Sequence, residues 1–153
     1  MNFIIKKFNH RYNQEAKDLI LRILEGEFSH YDIERPDLND ISNYYQVDKG
    51  NFWIALDKDR LVGTVGLKEY DGIAYIKRMI VHKGYRGKGL AQSLLHTLIE
   101  YSQKQGFLEI YLSTSENLIA ANKFYQKEGF IVISELPKQI PEQIATIHYL
   151  KRI

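Results

Sequence analysis

The sequence predicts an α/β (or α+β) fold built on one mixed β-sheet. Three observations carry that expectation. Three β-rich runs between residues 52 and 82 are joined by tight turns, which makes an antiparallel meander. A fourth run, 107–114, follows an amphipathic helix, and a strand–helix–strand crossover puts a parallel pair into the sheet. Stretches with apolar residues at helical spacing lie before and after these runs.

Phe3 to Phe8 is a short apolar run and the opening strand. Asn13 is placed to cap a helix, with Glu15 and Asp18 in its first turn, where acids are favoured. Ala16, Leu19, Ile20, Ile23 and Leu24 then share one helical face. Residues 26–50 are polar and aromatic and read as a loop with a second short helix near 38–46. Residues 52–57, 61–70 and 73–82 form the meander. Asp57-Lys58-Asp59-Arg60 turns its first hairpin and Asp71-Gly72 its second. Leu90, Ala91, Leu94, Leu95, Leu98 and Ile99 line one face of a long helix that Gly106 ends. After the strand at 107–114, residues 117–128 form the last helix, ended by Gly129. Strands at 130–136 and 144–150 follow, joined by a loop holding Pro137 and Pro141. The sum is about seven strands and about four helices with no linker, so 1–153 is expected to be one domain.

A chain of 153 residues can bury a sizeable core without staples. Zero cysteines exclude disulfides, thiolate metal sites and a cysteine nucleophile. Histidines 10, 30, 82, 96 and 148 show no ligand spacing, so no metal is expected. No Gly-x-Ser-x-Gly pattern supports hydrolase chemistry. The net charge of +2 is close to balance and gives no argument for a nucleic-acid partner. The first residues lack a signal-peptide layout and no apolar run is long enough to span a bilayer. No membrane partner and a cytoplasmic location are therefore expected.

The stretch Arg86-Gly87-Lys88-Gly89-Leu90-Ala91 stands between the apolar run Met79-Ile80-Val81 and the long helix. A strand, a glycine turn and a helix N-terminus make an anion site, because the first N–H groups are free and carry the positive end of the helix dipole. A P-loop fails on spacing: Lys88 precedes Gly89, and His82 stands five before Gly87. Gly84, Gly87 and Gly89 reverse the dinucleotide-binding spacing.

Arg86-x-x-Gly89-x-Ala91 resembles the Arg/Gln-x-x-Gly-x-Gly/Ala signature of the GNAT superfamily of N-acetyltransferases. Ala121 to Phe130 is similar to that family's later Ala-x-x-x-Tyr-x-x-x-Gly-Phe element, and the order of elements resembles the family from about residue 3 to residue 150. The resemblance implies a centrally splayed sheet. It also implies transfer of an acetyl group from acetyl-CoA to the primary amine of a small-molecule or peptide acceptor, by direct attack on the thioester. A non-catalytic acyl-CoA-binding domain is the alternative. By the same likeness, the backbone from Arg86 through Gly87, Lys88, Gly89 and Leu90 to Ala91 cradles the pyrophosphate, with the Arg86 and Lys88 side chains adding charge. Met79, Ile80 and Val81 lie beside the pantetheine, an N–H near Ile80 faces the acetyl oxygen, and Tyr125 is the general acid. Asn117 reaches the pantetheine or only caps its helix, and Asn122 could contact cofactor instead.

The likeness breaks at the base. Many relatives carry a glutamate where this chain has Tyr75, a poor base at neutral pH. Glu69 and Glu116 are candidate bases, with His30 and His82 behind them, and a water chain to backbone carbonyls serves equally well. The family resemblance implies that segments 26–50 and 134–143 line the acceptor cleft. Asp32, Glu34, Asp37 and Asp40 make the first acidic, which suggests a cationic acceptor such as a polyamine, or else a solvated acidic loop. A monomer, or a homodimer sharing edge strands, fits the family.

Overall fold

A computed structural model describes residues 2–27 and 34–153, so His30 and Asp32 lie outside the described residues. The elements run β1 (Ile4–Lys7), α1 (Asn13–Glu27), α2 (Ile41–Tyr45), β2 (Asn51–Asp57), β3 (Arg60–Tyr70), β4 (Ile73–Val81), α3 (Leu90–Lys104), β5 (Glu109–Thr114), α4 (Ile119–Lys127), β6 (Ile131–Ile133) and β7 (Ile147–Arg152). They build one seven-stranded sheet in the order β1-β2-β3-β4-β5-β7-β6. All neighbours are antiparallel except β4 and β5, the crossover pair. The expected α/β single mixed sheet is what forms.

Alternation along the strands divides the core between the two faces. Trp53, Leu67, Ile76, Ile110 and Leu112 pack with Leu94, Leu95 and Leu98 of α3 and with Tyr125 of α4. Phe52, Ile54 and Ile80 pack with Ala16, Leu19 and Ile20 of α1 and with Ile41 and Tyr45 of α2.

Some local differences from the expected elements have clear causes. β5 and β6 start later than their apolar runs because Phe107 and Phe130 finish the preceding helices. The Phe107 N–H donates to the Ser102 carbonyl at 3.1 Å and the Phe130 N–H to the Tyr125 carbonyl at 3.0 Å, each just past a left-handed glycine. β6 also ends early, at Ile133. Asn13 does not cap α1: a short 3-10 turn, His10–Tyr12, runs into the helix and Asn9 caps that turn. The Asn13 amide instead bonds the Leu38 carbonyl and the Ile41 N–H, both at 2.9 Å, and ties α1 to the segment before α2.

The sheet opens at its centre. β4 and β5 pair only at Ala74–Ile110 and Tyr75–Tyr111, then diverge as β4 continues to Val81 and β5 to Thr114. Just beyond the last pairing, β4 carries a bulge. Thr64 faces Ile80 and Gly66 faces Lys77, so β4 holds one extra residue opposite Val65. Arg78 takes up the kink with φ of +57°.

Candidate functional site

The opening between β4 and β5 leads to the start of α3. Gly89 adopts φ of +82° and Gly87 φ of +73°, which lets the chain turn from the end of β4 straight into the helix. A Cβ at either glycine would meet nothing within 4 Å, so backbone conformation rather than crowding requires glycine there. No side chain caps α3. Its first-turn N–H groups therefore face a groove of about 660 Å³ with the positive end of the helix dipole behind them. Met79, Ile80 and Val81 form one wall of that groove, and Arg86, Gly87, Gly89, Leu90 and Ala91 form its end. These eight are among the positions that the family resemblance named as cofactor-binding. The Arg86 guanidinium folds back so that Nε donates to the Val81 carbonyl at 3.1 Å.

α4 supplies the opposite wall through Leu118, Ile119, Ala121, Phe124 and Tyr125. Tyr125 is buried at the groove floor among the rings of Phe124, Phe130 and Tyr149, with centroids 5.4, 5.7 and 6.0 Å away. Burial, reinforced by Tyr75 and Tyr149, pushes its phenol well above the ordinary tyrosine value, so it keeps its proton.

The other three expected contacts are not among the groove-lining residues. Lys88 is exposed at the rim. Asn117 is exposed before α4, and the cap position belongs to Leu118, so Asn117 does not cap the helix. Asn122 is spent on structure. Its Nδ2 donates to the Ser115 and Leu118 carbonyls at 3.0 and 2.9 Å, and its Oδ1 accepts from the Tyr149 hydroxyl at 2.6 Å.

The candidate bases are scattered. Glu69 stands opposite Ala74, at the paired end of β4 and about 20 Å along the strand from Ile80. Its carboxylate accepts from the Lys49 and Gly72 N–H groups at 3.0 and 3.3 Å and braces that turn. Glu116 is exposed after β5. His82 caps the turn after β4 by accepting from the Gly84 N–H, and its other ring nitrogen meets Arg60 at 2.9 Å. Partial burial and then Arg60, Arg22 and Arg86 lower its pKa, so it is neutral near pH 7.

A different arrangement was not read from the sequence. Tyr75 is 2% exposed, and burial pushes its phenol up to about 12 against a hydrogen bond with Ser113. The Ser113 hydroxyl lies 2.7 Å from His148 Nδ1 on β7. This Tyr75–Ser113–His148 chain spans the opened strands. The available signal was a serine on the same strand face as Tyr111, level with a histidine in an apolar strand.

The acidic loop is also redistributed. Asp37 is 3% exposed and binds Arg78 in a two-pronged ion pair at 2.9 and 2.8 Å, and the Tyr45 hydroxyl donates to it at 2.6 Å. Asp40 caps α2 by accepting from the Asn43 N–H. Neither faces an acceptor freely. Among the described residues no three metal-ligating side chains gather, and no helix is long and apolar enough to cross a membrane.

Comparison with known proteins agrees with this geometry. Residues 14–130 match the Acetyltransferase (GNAT) family. N-acetylaspartate synthetase of Xenopus tropicalis is 36% identical over 99 residues, which is 63% of this chain and 36% of that protein. Human N-acetyltransferase 8B is 32% identical over 103 residues, 63% of this chain and 45% of that protein. The chain thus spans less than half the length of these curated relatives. A GNAT-family acetyltransferase from Staphylococcus aureus Mu50 is similar along 99% of both chains, with 33% identity and a TM-score of 0.92. The PaiA N-acetyltransferase of Thermoplasma acidophilum, crystallised with coenzyme A, shares the fold over the whole of both chains at 19% identity and a TM-score of 0.82. With the family match covering most of its length and carrying both motifs, this chain belongs to the GNAT family of acetyltransferases.

Proposed function

We propose that this protein transfers the acetyl group of acetyl-CoA to a primary amine by direct attack on the thioester. The observation that carries the proposal is the uncapped N-terminus of α3 opening onto a groove between two diverging strands. Acetyl-CoA supplies an activated acetyl group. The chain's own groups fit it. The backbone from Gly87 to Ala91 offers N–H donors to a pyrophosphate, and Arg86 adds a cation at the same end. Past Tyr75, the β4 edge that faces β5 has no strand partner, so its N–H and C=O groups are available to the pantetheine amides in the manner of an added strand. The bulge at Arg78 re-aims the backbone of Met79 and Ile80, the donors proposed for the charge that builds on the acetyl oxygen. Tyr125, kept protonated by burial, donates a hydrogen bond or proton to the leaving sulfur. For removal of the amine's proton, the Tyr75–Ser113–His148 chain at the opening is better placed than Glu69, whose oxygens already brace a turn. Tyr75 serves there as a hydrogen-bond link and not as the base. Balanced charge and the lack of cysteine support a cytoplasmic protein acting without nucleic acid or a thiolate-bound metal, and the family resemblance implies a monomer or homodimer.

The test is a calorimetric titration with acetyl-CoA and with free coenzyme A, repeated on Arg86→Ala, followed by an amine screen. Micromolar-to-millimolar binding that weakens in the variant, with acetylation of some amine, is the expected result. No binding overturns the proposal. Binding without turnover of any amine leaves a non-catalytic acyl-CoA-binding domain.

A further inference from the structure

The β3–β4 surface beside the bulge carries cations, in contrast to the acidic acceptor loop suggested by composition. Lys77 stands on β4 between the last residue paired to β5 and the bulge, two residues before Met79, about 7 Å along the strand. Its Nζ lies 5.4 Å from the centre of the Tyr44 ring and, among the described residues, has neither a hydrogen bond nor an ion pair. Lys68, opposite Tyr75 on β3, sits on the same ring at 4.4 Å and donates to the Tyr44 carbonyl at 2.8 Å. The Tyr44 and Tyr70 hydroxyls meet at 3.1 Å beside it. Arg78 is the third cation, and Asp37, the one carboxylate among the described residues that acts on Lys77, is already held by Arg78 and Tyr45.

An ammonium half removed from water with no acceptor is unfavourable, and neighbouring cations make it more so. Burial is the largest effect lowering the Lys77 pKa. Asp37 opposes it, while Arg78 and Lys68 add to it. Among the described residues the cluster lacks a full countercharge and would be completed by an anion. Tyrosine hydroxyls beside the two lysines give a planar anion further hydrogen-bond donors.

We infer that the acceptor amine carries a carboxylate, which docks between Lys77 and Lys68 beside the Tyr44 and Tyr70 rings. The acceptor is then an amino acid or a close analogue. One carbon separates amine from carboxylate in an α-amino acid, so anchoring the acid beside the bulge leaves the amine at the opened strands. This inference rests on the acetyltransferase proposal and narrows its acceptor.

The experiment compares matched amines that differ only in a carboxylate: alanine and ethylamine, phenylalanine and phenethylamine, lysine and cadaverine. Each pair is assayed with wild type, K77M, K77R and K68M, and acetyl-CoA binding is measured separately on every variant. The carboxylated member of at least one pair should be preferred by about tenfold or more in kcat/KM, the scale of one charge-assisted hydrogen bond. K77M and K68M should erode that preference mainly through KM, and K77R should restore most of it. Equal or better use of the decarboxylated member in every pair overturns the inference, as does a preference that survives both K77M and K68M. Failure to acetylate any carboxylated amine while acetyl-CoA still binds also overturns it. Loss of acetyl-CoA binding in wild type instead removes the parent proposal, so the two failures are distinguishable.

Discussion

Arg78 holds a backbone conformation that a side chain disfavours by about 1 kcal/mol, and it does so at the bulge that opens the sheet. What fixes it is its surroundings. Asp37 grips the guanidinium from the segment before α2, and the Thr64 hydroxyl donates to the Arg78 carbonyl at 2.8 Å. Burial disfavours the Asp37 charge, but the Arg78 hydrogen bonds and charge, with Tyr45, outweigh it and hold the carboxyl below its usual value of 3.8. A depressed carboxylate stabilises the fold above its unfolded pKa and loses that effect as pH falls through the folded value. Asp37→Asn should therefore cost about 3 kcal/mol near pH 7, because it leaves a buried guanidinium uncompensated. The deficit should shrink below about pH 4, where wild type loses the same charge. Denaturant titrations of both proteins across pH 3–7 check this. An equal deficit at every pH would mean that the ion pair is not the source. Asp37 and Arg78 are 41 residues apart, so spacing arguments could not see the pair and left Asp37 free in an acidic loop.

At the scale of elements, the turn from β4 into α3 does with backbone what many sites do with side chains. Gly89 has room for a side chain but needs its positive φ. Gly89→Ala should cost roughly 1 kcal/mol of stability and change acetyl-CoA affinity less than threefold. Gly89→Glu adds a negative charge beside the anion and should raise Kd at least about tenfold, as expected when like charges are brought together at a site. Calorimetry and denaturant melts on both variants separate the two effects, and similar Kd values for both would remove the phosphate assignment. This element was legible in the sequence because its signal is contiguous: strand, glycines and amphipathic helix lie within about twenty residues. The later motif that holds Tyr125 is contiguous in the same way. The Tyr75–Ser113–His148 chain and the Lys68–Lys77 pair were not legible, since each is assembled across strands whose register no local pattern fixes. Glu69 had the right chemistry at the wrong end of its hairpin.

Across the whole molecule, the sheet falls into two leaves, β1 to β4 and β5 with β7 and β6, joined directly by two residue pairings and bridged by α3. A ligand lying between the leaves should act as a missing strand. Acetyl-CoA at a hundred times its Kd should raise unfolding free energy by about 2.7 kcal/mol. Hydrogen exchange should place the added protection at Met79 to Val81 and the start of α3, and leave β1 and β2 little changed. Uniform protection over the whole sheet would instead indicate global stabilisation without insertion at the opening. The seven strands and the crossover were readable as periodicity; the opening was implied only by the resemblance to the family, because it depends on where pairing stops.

The uncapped start of α3 has a consequence for how such a protein can change over generations. The hold on the donor proposed above is made largely of peptide N–H groups, which substitution of side chains does not remove as long as the turn survives. The anchor inferred for the acceptor is made of Tyr44, Lys68, Tyr70 and Lys77, every one of them replaceable by a single codon change. Drift in such a molecule can exchange one recipient for another while the source of the transferred group stays constant.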